Sequence, residues 1–192
     1  MNIAFDIDGV VLNSIEVILE RINEVKGKTL TTADLLTWEL ERLVLDTSTL
    51  WEAVDYMYSQ PRIDPYEAAI DVLGRIHDET GKPLLFITGR RHPQTALRQL
   101  EALDWGRKVP DMIVKGGRRH KLSEILENQV EFIIEDDVEY VEEYLDEGIG
   151  VGLMIRPWNK QSTISVTNIF HSLEDIAEWF LASGGNGKSR QS

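Results

Sequence analysis

Asp6 and Asp8 stand one residue apart at the end of an apolar run that begins at Ile3. Residues i and i+2 of a strand point to the same side, so the two carboxylates share a face. The end of a parallel strand is also where an open α/β sheet takes its ligands. Acids crowded there raise one another's pKa, and a cation relieves the repulsion. Alone, such a pair is as readily a solvated acidic turn. Three further clusters accompany it. Thr88-Gly89-Arg90 follows the apolar run Leu84 to Ile87. A hydroxyl and a free glycine N–H can together hold an anionic oxygen, although Thr-Gly by itself is a common turn. The stretch from Lys115 to Lys121 is the densest positive patch of the chain. It offers two anion-binding lysines, Lys121 at a helix start and Lys115 directly after a strand. Glu135-Asp136-Asp137 closes the run Phe132 to Ile134. Acids in that place are costly unless they face water, a cation or a helix N-terminus, and capping the next helix is the plain role for Asp137. Magnesium prefers oxygen ligands and keeps several waters, so the Asp6 and Asp136 carboxylates with one backbone carbonyl would hold it.

These clusters need a scaffold, and the apolar pattern supplies one. After the first strand, roughly residues 13–61 read as helical. Ile15, Ile18, Leu19 and Ile22 form one stripe, ending near Gly27; Leu35, Leu36, Leu40, Leu43 and Val44 form a second; Leu50, Val54, Met57 and Tyr58 form a third. Asp64-Pro65-Tyr66-Glu67 carries the signals of a helix start, with a cap acid, proline in the first turn and Glu three residues after the cap. From there short apolar runs alternate with helices, the pattern of a parallel sheet. Strands are expected at Leu84–Ile87, Asp111–Val114, Glu131–Ile134 and, last, Ile149–Ile155, with a closing helix opening at Ser172. Continuous apolar strands imply helices on both sheet faces. The Gly- and Ser-rich tail, residues 183–192, is expected to be disordered.

Size and charge narrow the function. A chain of 192 residues fits one domain with a small insertion. A net charge of -13 argues against a broad nucleic-acid surface and against anionic membranes. No stretch approaches the length of a membrane span. Without cysteine there is no thiol nucleophile and no thiolate metal site. Without a signal peptide, the cytoplasm is the expected compartment.

Acid pair, threonine, lysine and acid pair thus fall on successive α/β units. In that order they resemble the motifs of the haloacid dehalogenase superfamily, specifically its phosphatase branch, over residues from Met1 to about Ile155. The resemblance implies an α/β, three-layer Rossmann-like core with a parallel sheet, residues 1–12 and 64–182. It also implies a small helical cap, residues 13–63, inserted after the first strand. It further implies a magnesium-dependent phosphatase acting on a small phosphorylated metabolite, similar to nucleotidases and phosphoglycolate-phosphatase-like proteins. Asp6 would be the nucleophile that forms an aspartyl-phosphate, and Asp8 the acid and then the base, which requires a raised Asp8 pKa. Asp6, the Asp8 backbone carbonyl and Asp136 would hold the metal. Thr88, Gly89 and Lys121 would bind the phosphoryl group. Glu135 and Asp137 remain as a second ligand or water-positioner, and Lys115 as the alternative lysine. Arg90, with Arg91, Arg118 and Arg119, either meets a second anionic group or is solvated. Trp38, Trp51, Tyr56 and Tyr58 in the cap either stack on a flat leaving group or fill a small core. Three rivals share some of these features: a phosphoryl-accepting regulatory domain, a carbon–halogen hydrolase and a non-catalytic binding protein of the same fold.

Overall fold

The computed structural model of the protein describes residues 1–35, 46–117, 120–160, 162 and 164–183. Among the described residues, six strands form one sheet: β1 Ile3–Phe5, β2 Leu84–Thr88, β3 Met112–Gly116, β4 Phe132–Glu135, β5 Gly150–Met154 and β6 Asn168–Phe170. Their order is β3-β2-β1-β4-β5-β6, and every pairing is parallel. β1 is central, with Phe5 level with Phe86 on one side and Ile134 on the other. The order reverses at β1, which opens a crevice at the strands' carboxyl ends. Asp6, Thr88 and Glu135 all lie at that edge.

The uninterrupted apolar runs follow from burial on both faces. Phe5, Phe86, Phe132 and Ile134 pack into one core cluster with α3 (Ala69–Thr80) and α7 (Leu173–Ala182). Their neighbours Ala4, Leu85, Ile87 and Ile133 face the other way, onto α5 (Lys121–Glu127) and α6 (Val138–Asp146). Between β2 and β3 lies α4, Pro93–Glu101. The expected three-layer parallel α/β core is therefore present.

Among the described residues, two α-helices stand between β1 and α3. On α1, Ser14–Lys26, the stripe Ile15, Ile18, Leu19 and Ile22 is buried, and Gly27 ends the helix in the left-handed conformation, φ 61°. On α2, Thr47–Ser59, Leu50 and Met57 are buried, and Asp46 caps the first turn. Leu35 is buried after a short 3-10 turn, whereas Leu36, Leu40, Leu43, Val44 and Trp38 lie outside the described residues. So do Arg118, Arg119 and the tail from residue 184.

Two expectations are corrected. The helix starts at Ala69, not at Asp64. The backbone of 64–66 pairs instead with the turn after β1, through Asn13 N–H to Asp64 O and Tyr66 N–H to Val11 O. Those bonds tie the segment to residues 11–13 ahead of the helix. β5 is also not the last strand. β6 adds beyond it, too short and too polar for its apolar pattern to show.

Candidate active site

Asp6 leaves β1 buried at 4% exposure, its Oδ1 2.8 Å from Lys121 Nζ. Lys121 opens α5 and also reaches Glu135 Oε2 at 2.9 Å. Glu135 spends its other oxygen on the backbone N–H groups of Asp136 and Asp137. Burial would lower the Lys121 pKa, but Asp6 and Glu135 beside it hold it well above its ordinary value. Lys115 is half-buried on β3 and does not line the site cavity.

Asp136 follows β4 into the same crevice and is fully buried. Trp158 Nε1 donates to its Oδ2 at 2.9 Å, and Asn159 Nδ2 to its carbonyl at 2.8 Å. Gly9 makes this approach possible. Its φ of 84° suits glycine, and a Cβ there would sit 2.6 Å from Asp136 Cγ. Arg156 braces the same turn, donating from Nε to Gly9 O at 2.5 Å while its guanidinium lies over the Tyr66 ring.

Carboxylate oxygens of Asp6, Glu135 and Asp136 lie within 4.8 Å of one another, all buried. One ammonium, Lys121, faces three acids. Burial first, then Glu135 and Asp8, push Asp6 up to about 8 despite Lys121. Burial, with Asp6 and Glu135, raises Asp136 well above its ordinary value. Such a set of oxygen donors with surplus negative charge fits a hard divalent cation. Asp137 is buried and lines the cavity, caps α6 through Glu139 N–H, and is raised to about 6, chiefly by burial.

Asp8 departs from expectation. Arg90, fully buried, grips it at both oxygens: Nε to Oδ2 at 2.7 Å and Nη2 to Oδ1 at 2.6 Å. Ser14 Oγ also donates to Oδ1. Burial would raise the Asp8 pKa, but the Arg90 charge and these hydrogen bonds lower it, so the expected raised value is corrected. Arg90 Nη1 donates to Gln99 Oε1 at 2.6 Å, and Gln99 Nε2 to the carbonyls of Met57 and Gln60 at the end of α2. Arg90 is neither solvated nor spread toward a distant anion. Its position directly after Thr88-Gly89 was the one sequence signal for this role. Gln99, a polar residue on the apolar stripe with Ala96 and Leu100, carried a weaker one. Ser14, Trp158 and Asn159 gave none.

Thr88 is buried, and its Oγ1 accepts the Arg90 backbone N–H at 3.2 Å. Gly89 lines the cavity with Asp6, Asp8, Arg90, Lys121 and Asp136. The cavity holds about 500 Å³. Trp51 and Tyr58 line it as well, and Tyr140, which the sequence did not single out, joins them. Tyr56 does not; it lies beneath Arg21. Arg91 is exposed and stacks over Trp51.

No family model and no curated protein matches the chain by sequence. Solved structures match it in fold. A haloacid dehalogenase-like hydrolase from Streptococcus pneumoniae superposes with a TM-score of 0.64 at 17% identity, covering 93% of this chain and 97% of that one. CbbY from Rhodobacter sphaeroides, in complex with phosphate, gives 0.60 at 12% identity, covering 90% and 95%. An L-2-haloacid dehalogenase gives 0.56 at 13% identity, covering 95% and 99%. The chain has the haloacid dehalogenase-like fold.

Proposed function

We propose that this haloacid dehalogenase-like chain is a phosphatase that hydrolyses a small phosphate monoester with a bound magnesium ion. The observation carrying this reading is the convergence of Asp6, Asp8, Lys121 and Asp136 on one cavity, with Lys121 Nζ 2.8 Å from Asp6 Oδ1. The match to CbbY with phosphate supports it, as does another structure of CbbY with xylulose 1,5-bisphosphate. In this reading residues 13–63 are the cap, and 1–12 with 64–182 the catalytic core.

Asp6, the Asp8 carbonyl and Asp136 would hold the magnesium ion, which supplies positive charge against a phosphoryl group and keeps Asp6 ionised. Asp6 attacks phosphorus through a carboxylate oxygen, and the ester P–O bond breaks as the new P–O bond forms. The departing oxygen takes its proton from Asp8. A dianionic phosphoryl group beside Asp8 favours the protonated carboxyl, against the pull of Arg90. Water then attacks phosphorus, Asp8 takes the water's proton, and the bond to Asp6 breaks to release inorganic phosphate. Lys121 and the Gly89 N–H meet the phosphoryl oxygens, and Thr88, buried behind Gly89, holds the Arg90 backbone N–H. Arg90 orients Asp8. Carbon–halogen hydrolysis on this fold would leave the acid at Asp8, and the arginine that grips it, without a task.

The test is phosphate release from a panel of monoesters. Wild type with magnesium should turn over, Asp6→Asn should lose at least about a thousandfold in kcat, and chelation should abolish the activity. Undiminished turnover by Asp6→Asn rejects the covalent route.

A further inference from the structure

Resting on that phosphatase reading, we infer that the leaving group is flat, aromatic and uncharged. The cavity lining is of two kinds. The strand ends and α5 bring carboxylates, Arg90 and Lys121, while α1 and α2 bring Ile15, Leu50, Trp51, Val54 and Tyr58. Trp51 is 48% exposed, a large apolar surface left open at the rim. Cations pack against the two α2 rings: Arg91 lies 5.0 Å from the Trp51 centroid and Arg90 5.5 Å from Tyr58, whereas Tyr140 is already stacked on Tyr144. Rings fixed in this way make a platform that a second flat group covers with little loss of side-chain freedom.

Charge weighs against the alternatives. Among the described residues, Arg90 and Lys121 are the only cations lining the cavity, and both are committed, to Asp8 and to Asp6 with Glu135. The lining adds Asp137 and Glu139. A carboxylate or second phosphate on the leaving group would meet these acids, with Arg91 over the Trp51 ring as the nearby counter-charge. A polyol finds acceptors at Asp137 and Glu139 but leaves other hydroxyls unpaired against Ile15, Leu50 and Val54. An aromatic leaving group meets neither cost.

The experiment compares benzyl phosphate and 2-naphthylmethyl phosphate with glucose 6-phosphate, phosphoglycolate and methyl phosphate, all with magnesium. These esters have alkyl leaving oxygens, so intrinsic reactivity does not decide the order. Adenosine monophosphate forms a separate arm for an aromatic ring carried on a sugar. The aryl-bearing esters should exceed glucose 6-phosphate and phosphoglycolate at least tenfold in kcat/KM. Trp51→Ala and Tyr58→Ala should each raise KM for the benzyl ester about tenfold, a far larger effect than on methyl phosphate. Binding of non-hydrolysable benzylphosphonate, by calorimetry, should weaken in parallel. Hydrolysis of glucose 6-phosphate or phosphoglycolate as fast as the aryl esters, with Asp6→Asn inactive, overturns this inference and leaves the phosphatase standing. No hydrolysis of any ester overturns both.

Discussion

Gly9 shows how much one residue decides. Its positive φ and the Asp136 carboxyl beside it leave no room for a side chain. Gly9→Ala would place a methyl group against that carboxylate and strain the turn by about 1–2 kcal/mol. We expect magnesium affinity to fall at least about tenfold by calorimetry, and Tm to drop by a few degrees. Unchanged magnesium binding would sever Gly9 from the site. The sequence shows the Asp6-Ile7-Asp8-Gly9 run plainly, because chemistry confined to three or four adjacent residues needs no tertiary knowledge. It did not show which way Asp8 is polarised. That depends on Arg90, eighty-two positions away in the chain, and on a buried contact that no spacing encodes.

At the level of elements, the Asp8 clamp is tied to α2. Arg90 follows β2, Gln99 sits on α4, and the carbonyls of Met57 and Gln60 close α2. Gln99→Leu keeps the volume but leaves Arg90 Nη1 and the Gln60 carbonyl short of a partner, while Met57 O keeps the Gln60 N–H. The expected cost is about 1–3 kcal/mol in denaturant unfolding, with kcat falling about tenfold and KM changing less. A loss confined to KM would place Gln99 in binding rather than in holding Asp8. Arg90→Lys removes the two-pronged grip and should lower kcat further, because an ammonium cannot replace the planar fork. Most elements were legible because β2 and β4 are long enough, and buried on both faces, to print unbroken apolar runs. The failure at Asp64 has a definite cause. Good capping chemistry lost to backbone pairing with residues 11–13, which are distant in sequence and adjacent in space.

For the whole molecule, the buried acids couple stability to pH and to metal. Asp6 carries a folded pKa of about 8 against an ordinary 3.8. The folded state thus holds a proton that the unfolded chain releases, and this contribution, whole below pH 3.8, is lost as pH rises through about 8. Asp136, also raised, acts with the same sign. Asp8, lowered, acts oppositely, losing its contribution only as acid titrates it below its ordinary range. Between pH 5.5 and 8.5, Tm in chelator should therefore fall. A cation that stabilises the ionised acids should widen the Tm gap between magnesium and chelator as pH rises. Differential scanning fluorimetry across that range reads both quantities. A gap that stays constant or narrows with pH would remove these acids from the metal site.

The order of short motifs, and the alternation of apolar runs with helices, was enough to specify a parallel α/β fold and its clustered acids. Both are written locally, in residue type and period. The tertiary structure alone decided that Lys121 rather than Lys115 joins the acids, that Arg90 is buried on Asp8, and that Trp51, Tyr58 and Tyr140 face one cavity. Each of those depends on where distant segments meet, which packing settles and local pattern does not carry.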